Sequence, residues 1–177
     1  MTLLWGFIKL TAKYELNDLE FWSEDKRFGL KIHRRKVSQL LKMCARAGVQ
    51  ETGGILVGFY TESHNCAVIT AVSDAPSDSH SGHNWFHRGT NGLQRWLNHL
   101  WNREKQYYVG EWHFHPFFYP NPSQIDINQM QKIGDSYSYQ CPEPLLLIIS
   151  SDPTTQWDMK VYIFPRNHPL IELTRCS

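Results

Sequence analysis

The sequence predicts a mixed α/β fold, of the α/β or closely related α+β class, on three observations. Short runs with a two-residue apolar alternation interleave with segments whose apolar residues recur at helical spacing. No internal repeat or low-complexity tract interrupts that order. The chain has 177 residues, a length suited to one domain, and its aromatic content of 14% supplies large side chains for a core.

Taken in order, residues 1–27 mix apolar and charged side chains without a period and read as an N-terminal arm. Glu24-Asp25-Lys26-Arg27 is a solvated turn, and the apolar start Met1–Ile8, lacking a basic leader and a cleavage site, reads as part of the mature protein. Phe28, Leu30 and Ile32 then alternate with Gly29, Lys31 and His33 as a half-buried strand should. Val37, Leu40, Leu41 and Cys44 mark a helix that ends at Ala47-Gly48. Gly53–Tyr60 reads as a buried strand and Cys66–Val72 as its neighbour. Ser73–Asn84 is rich in Ser, Asp, His, Gly and Pro and reads as a loop. A second helix carries Leu93, Trp96, Leu97 and Leu100 on one face, which places Trp96 in packing rather than in base stacking. Tyr107–His113 is a strand, Ile125–Ile133 a helix, and Pro144–Ser150 a strand. Trp157–Phe164 closes a domain spanning 28–164, and 165–177 is a C-terminal tail.

Eighteen basic residues against seventeen acidic ones leave a formal charge of +1, so the net balance gives no support to nucleic-acid binding. The run Lys31, Arg34, Arg35 and Lys36 reads as a solvated helix start. No apolar run approaches a membrane span. The four cysteines are scattered without a CxxC pair, which argues against a four-cysteine zinc site and fits a reducing, cytoplasmic setting.

Chemistry concentrates in His113-Phe-His115-Pro116 and in Ser123-Gln-Ile-Asp126. Histidines at i and i+2 of a strand share one face, and an aspartate on the next helix can close a third corner. Three protein ligands leave a fourth position open, which distinguishes a catalytic zinc from a structural one. Trp112 and Phe114 face the other way, toward the core, and Pro116 ends strand pairing. Phe117, Phe118, Tyr119, Pro120 and Pro122 form a stiff connection to the helix. Ser123 and Asp126 also read as a capping box, and for Ser123 both roles are compatible. His80, His83 and His87 read as surface loop histidines. Hydrolysis needs a base, and two glutamates compete. Glu111 faces the same side of the strand as His113, ~7 Å along, and could orient that histidine from behind. Glu51 precedes Thr52-Gly53-Gly54, where two glycines permit close backbone approach. Periodicity does not choose between them.

This set of residues resembles the JAMM family of zinc metalloproteases, whose domains are also called JAB or MPN+. The resemblance rests on Glu51 followed by His113-x-His115-Pro116-x6-Ser123-x2-Asp126 and covers roughly residues 28–164. The stretches Glu51–Gly58 and Gly110–Pro116 are similar to the prokaryotic branch. The resemblance implies the JAB/MPN fold: a curved mixed sheet flanked by helices, related in layout to cytidine deaminases. It implies one Zn2+ ion held by His113, His115 and Asp126, Glu51 as general base and acid, and Ser123 as the oxyanion stabiliser, which leaves Glu111 as the candidate behind a histidine. The implied reaction is amide hydrolysis by metal-activated water, most often of the isopeptide bond joining a ubiquitin-like tail to a lysine.

Within the prokaryotic branch the chain is similar to the deconjugating peptidases of CBASS anti-phage operons and of bacterial ubiquitin-like conjugation operons. Phe86-x-Arg88-Gly89-Thr90, Gly92-Leu93 and Cys141–Ile148 carry that similarity. It implies a ubiquitin-like protein or a conjugated CD-NTase-type synthase as substrate, with conjugation enzymes of the same operon as further partners. In the implied fold Ser73–Asn84 and 134–141 flank the cleft and hold the substrate tail as an added strand. The aromatic, proline-rich stretch between Pro116 and Ser123 departs from many eukaryotic members, so their linkage preferences do not transfer. Two other readings compete. One is an inactive MPN scaffold, against which the complete ligand set argues. The other is a related hydrolase that processes a sulfur-carrier protein.

Overall fold

The computed structural model describes residues 18–151 and 157–176; the reading of Met1–Ile8 lies outside them. Thirteen elements follow one another: β1 (Leu19–Trp22), β2 (Gly29–Ile32), α1 (Arg34–Ala47), β3 (Thr52–Tyr60), β4 (Cys66–Val72), β5 (His80–Ser81), β6 (Phe86–His87), α2 (Leu93–Glu104), β7 (Tyr107–Pro116), α3 (Gln124–Asp135), β8 (Leu145–Ser151), β9 (Asp158–Ile163) and β10 (Ile171–Arg175).

The sheet is mixed and curved, as expected, and it closes on itself in the order β1-β10-β9-β8-β7-β3-β4-β2. Pairings β2/β4 and β7/β8 are parallel and the others antiparallel. A parallel pair needs a long crossover, and α3 supplies it between β7 and β8. The sheet runs past the expected 28–164 segment at both ends. β1 lies in the stretch read as an arm, and β10, not Trp157–Phe164, is the last strand, in the stretch read as a tail. Both are short and half-exposed, so neither carries a long apolar run.

β8 shows why β7 is held firmly. Leu145, Leu147 and Ile149 pack on one face with Leu30, Ile32, Leu40, Leu56, Trp112 and Phe114. Leu146 and Ile148 pack on the other with Ile55, Val57, Met130 and Ile133. A strand buried on both faces reads as an unbroken apolar run, which is how Leu145–Ile149 reads. β7 lies between β3 and β8 and splits its faces by chemistry. Val109, Trp112 and Phe114 enter the core on the α1 side, leaving Glu111, His113 and His115 opposite. Trp112 is fully buried and its indole N–H donates to the Ser73 carbonyl at 2.9 Å, which ties β7 to the end of β4.

The helices follow their sequence signals. Arg34, Arg35 and Lys36 lie at the start of α1, but Lys31 of the same basic run belongs to β2 and pairs with Glu20 of β1 at 2.9 Å. The His33 ring caps α1 by accepting from the Arg35 N–H, and Gly48 ends the helix with φ 66°. α2 buries no side chain fully; Leu93, Trp96, Leu97 and Leu100 rest half-buried on the second core. None of the helices among the described residues is long and apolar enough to cross a membrane.

Candidate metal centre

His113 and His115 project from the last third of β7 and Asp126 from the first turn of α3. One ligand atom from each lies within 4.8 Å of the others, and all three residues are buried. Among the described residues this is the one group of three or more His, Cys, Asp or Glu side chains so gathered. His80 and His87 pair across the small β5–β6 hairpin and His83 reaches the Val49 carbonyl, so the loop histidines stay apart from it.

The start of α3 explains how Asp126 is aimed. Ser123 is the N-cap, its Oγ accepting from the Asp126 N–H at 3.2 Å, while Asp126 Oδ2 accepts from the Ser123 N–H and hydroxyl at 2.7 Å each. The capping box expected from the sequence therefore also fixes a carboxylate beside the histidines. Asp126 Oδ1 lies 2.8 Å from His113 Nδ1, and Oδ2 lies 3.6 Å from His115 Nε2.

Electrostatics follow from this crowding. Burial works against the charged form of Asp126, but His113 and the Ser123 donors outweigh it and hold the carboxyl well below its usual range. Burial likewise pulls His113 down, but Asp126 and Glu111 on either side outweigh it and raise it to about 9. His115 has no such pair of anions, and burial lowers it.

The donor set fits a zinc ion. Two imidazoles and a carboxylate are ordinary zinc ligands, bound at ~2.0–2.2 Å. His113 Nδ1 faces Asp126 Oδ1 at 2.8 Å, while Nε2, on the ring's other edge, stands 3.4 Å from Glu111 Oε2 without a hydrogen bond. The proton that two carboxylates hold on His113 is what a metal would displace.

The two competing glutamates occupy different surroundings. Glu111 is fully buried, its Oε1 receiving Arg88 Nε and Nη2 at 3.0 and 2.8 Å and its Oε2 receiving Gln129 Nε2 at 3.0 Å. Burial pushes its carboxyl up, but His113 and Arg88 outweigh that and keep it low. Glu51 stands just before β3. Thr52 pairs with Phe114 there, so Glu51 arrives level with His115. Its backbone N–H donates to the Gly82 carbonyl of the hairpin at 2.9 Å. It is half-buried, and burial, reinforced by Asp126 and partly offset by His113, pushes it up to about 7. The two glycines after it work as expected. A Cβ on Gly53 would lie 2.5 Å from the Trp112 carbonyl and 2.9 Å from His113 Cδ2; one on Gly54 would lie 2.5 Å from the Ser73 carbonyl.

Sequence reasoning missed what surrounds Glu111 and the hairpin. Phe86 stands edge-on to His113 with ring centroids 5.8 Å apart, and Arg88 reaches Glu111. Both belong to the Phe86-x-Arg88-Gly89-Thr90 stretch, so the motif was visible while its partners, more than twenty residues away, were not.

The fold agrees with what the chain is similar to. A family model described as prokaryotic homologs of the JAB domain matches residues 33–160, and the chain belongs to that family. Over 162 residues, 92% of this chain and 89% of the relative, it is 37% identical to a protein of Enterobacter hormaechei subsp. hoffmannii named CD-NTase/cGAS isopeptidase. A protein of the same name from Escherichia coli is 35% identical over 79 residues, 44% of this chain and 49% of the relative. The fold matches the solution structure of a Desulfitobacterium hafniense protein with a TM-score of 0.60 at 16% identity, covering 80% of this chain and 87% of that one.

Proposed function

We propose that this chain is a zinc-dependent isopeptidase. Its substrate would be a protein conjugate, either a ubiquitin-like protein or a CD-NTase-type synthase joined through its tail to a target amine. The observation that carries the reading is the gathering of His113, His115 and Asp126 within 4.8 Å, with Glu51 at the mouth of the neighbouring strand. The names of the Enterobacter and Escherichia relatives support the substrate class. A place in bacterial anti-phage defence, in the cytoplasm, is part of the same proposal.

His113, His115 and Asp126 would hold the ion. When bound, zinc acts as a Lewis acid that polarises a carbonyl and acidifies water. The rest of the chemistry falls to the chain itself. Glu51, pushed up to about 7, sits near the pH at which a carboxylate can both accept and return a proton. It takes the proton of the attacking water and delivers it to the departing lysine amine. The Ser123 hydroxyl, which donates to Asp126 Oδ2 at the head of α3, would turn to the oxygen that gains charge as the amide carbon becomes tetrahedral. Glu111 is too enclosed and too well satisfied to exchange protons with water, so it serves behind His113. No covalent intermediate is required, and Cys141 stays buried with its thiol pushed up to about 12, unsuited to nucleophilic attack.

The decisive experiment incubates a purified isopeptide-linked conjugate with the wild type and with Glu51→Gln. The expected result is release of the tail-bearing protein by wild type, loss of release after exhaustive chelation, and recovery on adding zinc. Equal cleavage before and after chelation would overturn the proposal.

A further inference from the structure

We infer that Arg88 is a positioning residue for the metal centre: it holds Glu111 behind His113 and fastens the β5–β6 hairpin to the strand that carries the ligands. The inference rests on the zinc-site reading above and extends it to a residue outside the ligand set.

The geometry is specific. Arg88 and Glu111 form an ion pair whose side chains are 7% and 0% exposed. Two guanidinium nitrogens converge on Glu111 Oε1, and the third donates to the Gly89 carbonyl at 3.0 Å. Glu111 Oε2 is left to Gln129 of α3 and to the Nε2 edge of His113. One carboxylate therefore ties the segment after the hairpin to the helix that supplies Asp126 and stands against a metal ligand.

The arm that carries Arg88 is fixed at its base as well as at its head. The Gly89 N–H donates to Ser79 Oγ at 2.9 Å, and the Thr90 and Asn91 N–H groups donate to the Asp78 carboxylate at 3.0 and 2.9 Å. Phe86, two residues before Arg88, packs edge-on against His113. The hairpin thus reaches the same histidine twice, once by a ring and once through Glu111.

Stability alone gives no reason for this pair. A buried ion pair is commonly no more stabilising than apolar side chains of similar size. Groups behind a metal ligand, by contrast, typically change metal affinity or activity by about 10- to 100-fold when removed. A planar guanidinium fork, which lysine does not reproduce, is the side chain that fixes a carboxylate in orientation.

The test separates fold from positioning. Arg88→Met alone strands a buried carboxylate, so the informative protein is the Arg88→Met/Glu111→Leu double variant, which removes both charges. It is expected to melt within a few degrees of wild type. Against a chromophoric chelator it should hold zinc about 10- to 100-fold more weakly. Its cobalt-substituted form should show an altered visible spectrum, and kcat should fall while KM for the conjugate stays unchanged. A double variant with wild-type zinc affinity and a wild-type cobalt spectrum overturns the inference. Should that variant fail to fold, Glu111→Gln keeps the shape and removes the charge; the same losses support the inference, and wild-type zinc affinity overturns it. Failure of the underlying reading looks different, because wild type itself would then take up no zinc or leave the conjugate intact.

Discussion

The mouth of β3 and the middle of β7 each bring a glutamate to the same histidine, and the two carboxylates end in opposite states. Glu111 is sealed, ion-paired and held low. Glu51 is half-open and pushed up to about 7. Pairs of acids whose surroundings drive them apart commonly divide labour, one fixed and charged, the other free to exchange protons. Here the division follows from burial and partners alone: an arginine fork and an amide on one side, a half-buried position near Asp126 on the other.

Several measurements would break or sharpen this contrast. The largest effect is expected from Glu51→Gln, which should lower turnover by about 100- to 10,000-fold while retaining one zinc per chain by metal analysis. Loss of the metal together with activity would return Glu51 to a structural role. Ser123→Ala should lower kcat by about 100- to 1000-fold. It should also cost about 1 kcal/mol in thermal unfolding, because the cap of α3 is lost; a purely structural serine would show the second effect without the first.

The pH profile gives a third. A base must start unprotonated, so turnover should fall about tenfold per unit as pH drops below about 7, and level off above it. A profile flat from pH 5 to 8 would remove Glu51 from proton transfer. The smallest effect concerns stability of the metal-free protein. The folded Glu51 carboxyl lies above its unfolded value of 4.5, so the folded state holds its proton longer. The wild type should therefore lose stability as pH rises from about 4.5 to 7, by about 1 kcal/mol after discounting for solvent screening. Glu51→Gln should remove that part of the slope, leaving the loss that His113 adds above about 6.5, and at pH 8 the chelated variant should outlast wild type in urea.

Much of the site was legible in the sequence because its parts are local. His113 and His115 share a face by the two-residue period of a strand, and Ser123 and Asp126 share a helix turn. Glu51 needed the family resemblance, since its approach depends on β3 pairing with a strand sixty residues later. The strands β2, β3, β4, β7 and β8 announced themselves through apolar periodicity. β1 and β10 did not, because they are half-exposed and are defined by closing the sheet rather than by their own composition. Arg88 stayed hidden for the same reason: its meaning lies in a carboxylate 23 residues away, and no local spacing encodes that.

The closure of the main sheet limits how any guest chain can be received. Among the described residues the ring of strands leaves few stretches of unpaired rim, so neighbouring molecules find little to zip onto. An extended visitor seeking main-chain partners would find one such edge on the outer sides of a two-stranded ribbon, His80–Ser81 and Phe86–His87. That ribbon stands against the imidazole of His113. Admission and chemistry would then share one doorway.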